Sequence, residues 1–244
     1  MNPPDYTFDK IKFATDRPTL EKAIALYEAG KVIQVEEEIR SYTGIVIGTK
    51  SYKVFVEARR FDYGSCTCYL GLNGTLCKHM VALAIYAAKD GRPLTKEEKK
   101  IIQNPSCSGQ LGNLDDKNLS LIKKLITEAL RYVKPYIGSS RTWFTYQNSL
   151  SEGCNRLSVI ITKLPVSVQT ADLIVDLLLR LDKKLTTGGI DDSDGTVSGF
   201  IEEIVEVLRQ FAKLDPNCIK LFDKLKNRDT SFGWENPLLN LYVS

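Results

Sequence analysis

Imidazole is nearly absent from this 244-residue chain, which has one histidine, His79. If that residue is committed to one task, no other imidazole is left for a catalytic dyad or triad or a second metal site. A glycine-rich phosphate loop and a G-x-S-x-G elbow are also missing, which removes the commonest nucleotide and acyl-transfer signatures. No apolar run reaches membrane-spanning length, and the best candidate, Leu173 to Leu179, is interrupted by Asp176. The opening Met1-Asn-Pro-Pro-Asp-Tyr lacks a basic-then-apolar targeting layout, so the expected address is cytoplasmic and no membrane partner is expected. A charge excess is lacking too. The net charge is +3, from 33 basic and 30 acidic residues, too near balance to imply nucleic acid by itself. Residues 1–105 hold 16 basic and 13 acidic side chains and the remainder 17 of each, so the whole excess lies in the first part.

What is present is ordinary globular composition, 43% hydrophobic and 26% charged, with six cysteines. In a cytoplasmic chain those cysteines read as thiols and metal ligands rather than disulfides. Residues 19–29 place Leu20, Ala23, Ile24 and Tyr27 on one helical face, with Thr19 as the expected cap and Gly30 as the stop. The period then changes. Segments 32–35, 39–47 and 52–58 are β-branched and aromatic, with Gly44 and Gly48-Thr-Lys-Ser51 as turns, which predicts a short antiparallel meander. Met80 to Lys89 predicts a helix stopped by Asp90-Gly91. Gln103 to Gly109 has linker composition. Beyond it, apolar spacing of three and four predicts helices near 116–134, 149–163, 168–186, 197–213 and 216–226. The expected architecture is α+β: a small β-hairpin or meander module with flanking helices over residues 1–105. An all-α domain, bundle or solenoid-like, follows over 106–244.

The chemistry sits in residues 62–81, where Cys66-Thr-Cys68 and Cys77-Lys-His79 are separated by eight residues. Three thiolates and one imidazole satisfy a tetrahedral Zn²⁺. The lone histidine falls two residues after a cysteine and directly before an amphipathic helix, which ordinary buried thiols do not explain. One structural zinc ion is therefore expected on Cys66, Cys68, Cys77 and His79. Four protein ligands close the coordination sphere, so catalysis at this metal is not expected. Such a site carries a net charge of −1, and Lys78, Arg59 and Arg60 lie close enough in sequence to offset it.

Tyr52-Lys-Val-Phe-Val-Glu, then Cys66-Thr-Cys68, then Cys77-Lys-His79-Met-Val-Ala-Leu-Ala resembles the SWIM zinc finger from about Tyr52 to Ala88. All four ligand positions match in residue type. The resemblance implies protein–protein interaction or DNA binding. The leading expectation is a non-enzymatic module that binds a protein partner through the finger and the helical domain. The second is nucleic-acid contact through Lys53, Arg59, Arg60 and Lys78, interleaved with Tyr42, Tyr52, Phe55 and Tyr63 and diluted by Glu36, Glu37 and Glu38. No small-molecule substrate is evident.

Three further features read plainly. Ile190-Asp-Asp-Ser-Asp-Gly195 suggests a calcium loop, but Ile190 and Ile201 occupy its first and twelfth positions, so a helix-capping turn is expected. Cys107, Cys154 and Cys218 read as packed thiols. Trp143, Phe144, Tyr146 and Trp234 read as packing residues.

Overall fold

The computed structural model describes residues 3–138 and 143–242. The chain divides into two compact units, Met1–Ile101 and Ile102–Ser244, each with its own core. Among the described residues no helix is long and apolar enough to cross a membrane.

The first unit opens with helices α1 (Phe8–Ala14) and α2 (Arg17–Glu28). The cap of α2 is Asp16, not Thr19: its carboxylate accepts the Thr19 N–H at 2.9 Å, and Pro18 fits the first turn, where an N–H is not needed. A four-stranded antiparallel sheet follows in chain order: β1 (Val32–Glu38), β2 (Ser41–Ile47), β3 (Ser51–Glu57) and β4 (Gly64–Cys66). Ile39, expected in a strand, sits in the two-residue hairpin that sets Glu38 opposite Ser41. Gly44, expected in a turn, lies inside β2. A Cβ there would come 3.2 Å from Leu83 Cδ1, so glycine lets the following helix settle on the sheet. On the edge, β1 is bulged between Ile33 and Glu36, with Gln34 at a positive φ, and then carries three glutamates. Both features discourage further strand pairing.

Val54 and Val56 point into the core while Phe55 and Glu57 are half-buried, as alternation requires. The helix they meet is α4 (Lys78–Lys89), in which Met80 through Ile85 and Ala87 are all buried. It packs against α2 and α1 as well as the sheet, and its alanines allow that close approach. Two single-turn helices complete the unit, α3 (Tyr69–Leu72) and α5 (Lys96–Lys99).

Among the described residues the regular elements of the second unit are helices: α6 (Asp116–Ala129), α7 (Trp143–Thr162), α8 (Val168–Thr186), α9 (Thr196–Leu214), a 3₁₀ segment (Pro216–Leu225), α10 (Asn236–Leu239) and a short 3₁₀ turn (Asn240–Tyr242), with one isolated parallel bridge between Leu111 and Val166. Nine of the 19 residues of α9 are buried, and it packs against α7, α8, the 3₁₀ segment and α10, so these helices gather around one of their number. Pro216–Leu225 winds as 3₁₀ rather than α while placing Cys218, Phe222 and Leu225 against α8 and α9. The Gln103–Gly109 stretch is not a free tether. Ser106 N–H donates to Thr162 Oγ1 at 3.1 Å, Ser108 Oγ to the Leu164 carbonyl at 2.7 Å, and Ser158 Oγ to the Gln103 carbonyl at 2.5 Å.

Helix α7 begins six residues earlier than the sequence predicts. The Trp143 indole N–H donates to the Asp191 carboxylate at 3.0 Å, and Asp191 N–H donates to the Tyr146 hydroxyl, which anchors the extra turns. Trp234 likewise donates to Asp182 at 2.9 Å, so these aromatics dock helices. The Phe144 side chain lies outside the described residues. Cys154 and Cys218 are buried and Cys107 half-buried, and burial raises the Cys154 thiol and pushes Cys218 up to about 11, which keeps both protonated.

The acidic turn before α9 is a cap. Asp192 accepts the Val197 and Ser198 N–H groups at 2.7 and 2.9 Å, and Asp194 accepts from Thr196. Asp192→Ala is expected to cost about 1–2 kcal/mol in denaturant unfolding of this unit. Calcium is expected to leave the melting temperature unchanged, and a calcium-dependent rise would restore the metal-loop reading.

Candidate metal centre

The four sequence-predicted ligands come from three consecutive elements. Cys66 ends β4, where it pairs opposite Val54 and therefore points to the core side of the sheet. Cys68 is the N-cap of α3, Cys77 is the N-cap of α4, and His79 lies in the first turn of α4. All four are buried, and their donor atoms lie within 4.8 Å of one another. His79 Nδ1 is 3.7 Å from Cys66 Sγ and 3.8 Å from Cys77 Sγ. A tetrahedral Zn²⁺ with Zn–S near 2.3 Å and Zn–N near 2.05 Å spaces its sulfur and nitrogen ligands about 3.6 Å apart. The observed separations are close to such an edge.

The donors' surroundings also fit a metal. Two of the sulfurs accept a backbone N–H, Cys66 Sγ that of Cys68 and Cys68 Sγ that of Gly71, both at 3.4 Å. Glycine is required at 71, because a Cβ there would lie 2.4 Å from the Cys66 carbonyl oxygen. The hydrogen bond from Cys66 holds the Cys77 thiol down to about 4, against burial and with help from His79 and Met80. Cys66 is raised, first by that same contact and then by burial. Binding a divalent cation here requires the sulfurs to give up their protons.

Hydrogen bonds and burial lead the shifts at Cys66 and Cys77, rather than Lys78, Arg59 or Arg60. Arg60 is held by Asp62 at 2.7 Å and lies over the Tyr63 ring at 5.2 Å. Lys53 and Arg59 are exposed, and Lys78 is half-buried on α4. Of the aromatics expected beside them, Tyr42 is in the core and Tyr52 is half-buried with one face on the His79 ring. Sequence reasoning missed Gly48 and Tyr52 as neighbours of the imidazole, and it missed the exposed apolar surface of α3.

Residues 52–88 match the family model of the SWIM zinc finger. Neither the curated proteins nor the solved structures contain a match to the chain. Matched segment, donor set and geometry agree, and the chain carries at residues 52–88 a SWIM zinc finger whose Cys66, Cys68, Cys77 and His79 form the site for one structural zinc ion.

Proposed function

We propose that this protein is a non-enzymatic, cytoplasmic binding module in which zinc holds a docking surface for a protein partner. One observation carries the reading. Helix α3, between the two ligand pairs, leaves Tyr69 81%, Leu72 75% and Leu70 46% exposed. Large apolar side chains gathered on one turn are poor surface residues unless something covers them. The turn is pinned by Cys68 at its N-cap and by the tight packing of Gly71 against Cys66, so its presentation costs little ordering on binding. The helical unit adds a second surface of the same kind, with Leu121 and Leu125 exposed one turn apart on α6.

Two features support a role without catalysis. The only imidazole is turned to the metal site, and the Cys154 and Cys218 thiols are held protonated by burial. Three thiolate ligands also suit a reducing compartment. Nucleic-acid contact is the weaker reading, because Arg60 is paired with Asp62, Tyr42 is buried in the core and one face of Tyr52 is taken by His79.

The test is retention of partners from native extracts treated with nuclease. Tyr69→Ser and Leu72→Ser are expected to keep stoichiometric zinc and to weaken the principal protein complex at least about tenfold, as for apolar anchors at an interface centre. Moderate salt should leave the wild-type complex intact. Retention on DNA that falls steeply with salt and ignores both substitutions would instead indicate phosphate binding.

A further inference from the structure

His79 turns Nδ1 toward the sulfurs, so the opposite nitrogen shows how the ring is held. A metal-bound histidine ordinarily donates its second N–H to a carboxylate, carbonyl or water, and that bond fixes the ring plane. Here Nε2 is buried and has no hydrogen-bond partner among the described residues. Packing surrounds it instead. The Tyr52 ring stacks on the imidazole with centroids 4.3 Å apart and planes 27° from parallel. A Cβ on Gly48 would lie 2.9 Å from Nε2 and 3.1 Å from Tyr52 Cε2. The Tyr52 hydroxyl is tied to Thr49 Oγ1 at 2.9 Å, and the Gly48 N–H closes the turn on the Lys50 carbonyl at 2.8 Å. The β2–β3 turn therefore closes around the ring.

We propose that Gly48 and Tyr52 are positioning residues of the zinc site, which set the plane of the His79 imidazole by shape in place of a hydrogen bond. Gly48 lies ahead of the segment that matches the SWIM finger, so part of the determinant of zinc affinity lies outside that segment. The constraint on the ring is steric. Nδ1 bonds well only when its lone pair points at the ion, and the ring can reach that orientation only by lying flat beneath Tyr52 with Nε2 over a residue that has no side chain. A methyl group at position 48 meets Nε2 well inside contact distance, and the ring must tilt or the turn must lift.

The experiment is a zinc competition titration against a chromophoric chelator, with the ligand-field bands of the Co²⁺-substituted protein as second readout. Gly48→Ala and Tyr52→Leu are each expected to weaken zinc about 10–100-fold, the range seen when a ligand's orienting partner is lost. Tyr52→Phe keeps the stacked ring and should stay near wild type. In a His79→Cys background there is no imidazole to orient, and Gly48→Ala should then cost nothing further. Unchanged zinc affinity in Gly48→Ala would overturn the proposal, and so would an equal loss in both backgrounds, which would mean general damage to the turn. Should His79→Cys take up no metal, the Co²⁺ bands decide: shifted bands in Gly48→Ala support the proposal, and unshifted bands overturn it.

Discussion

Cys77→Ser, or treatment with a strong chelator, is expected to unfold the region near residues 50–90 while sparing the helical unit. Cys77 is a sulfur donor placed at the start of α4, and serine there removes the sulfur while remaining a good helix N-cap, so the loss reports on the metal site. Zinc contributes on the order of 10 kcal/mol to folding in small modules of this kind. The first unit is about a hundred residues long and depends on that contribution for the connection from β4 through α3 to α4. Without the ion, three sulfurs and an imidazole are buried together with no cation to ligate, and burying them is unfavourable. Hydrogen exchange should show protection lost across β3, β4 and α4 and retained in α8 and α9. A single cooperative transition that ignores the chelator would count against this picture.

Phe211→Ala is expected to lower the stability of the helical unit by about 3–5 kcal/mol while leaving zinc stoichiometry at its wild-type value. The ring is fully buried on α9, the helix against which α7, α8, the 3₁₀ segment and α10 all pack. Its loss opens a cavity in a close-packed core. The two units have separate cores, so denaturant unfolding should shift the transition of the helical unit and leave the metal-dependent one in place. A coupled loss of zinc would mean that the two cores do not act independently.

The legible parts of the fold are those with a local physical signature. The four ligands could be read because C-x-C and C-x-H are short-range patterns, and the same holds for α8 and α9, whose apolar spacing persists over 19 residues each. The meander was visible from β-branched and aromatic runs, but its details were not. Gly44 reads as a turn because glycine breaks strands, whereas its position is fixed by Leu83 arriving from α4. Thr19 reads as a cap because of its residue type, whereas Asp16 reaches the free N–H groups first. The edge strand β4 is three residues long and exists through pairing with β3, which no local pattern encodes. In the centre itself, the donors were legible and the device that aims one of them was not. Tyr52 and Gly48 meet His79 across some thirty residues of chain, and only the closed turn brings them together.

Zinc K-edge X-ray absorption on the purified, reduced protein, with metal content measured on the same sample, bears on all of this most directly. The structure leads us to expect one zinc per chain with three sulfurs near 2.3 Å and one nitrogen near 2.0 Å. A chain that comes out folded and metal-free, or a first shell of oxygens, would contradict it.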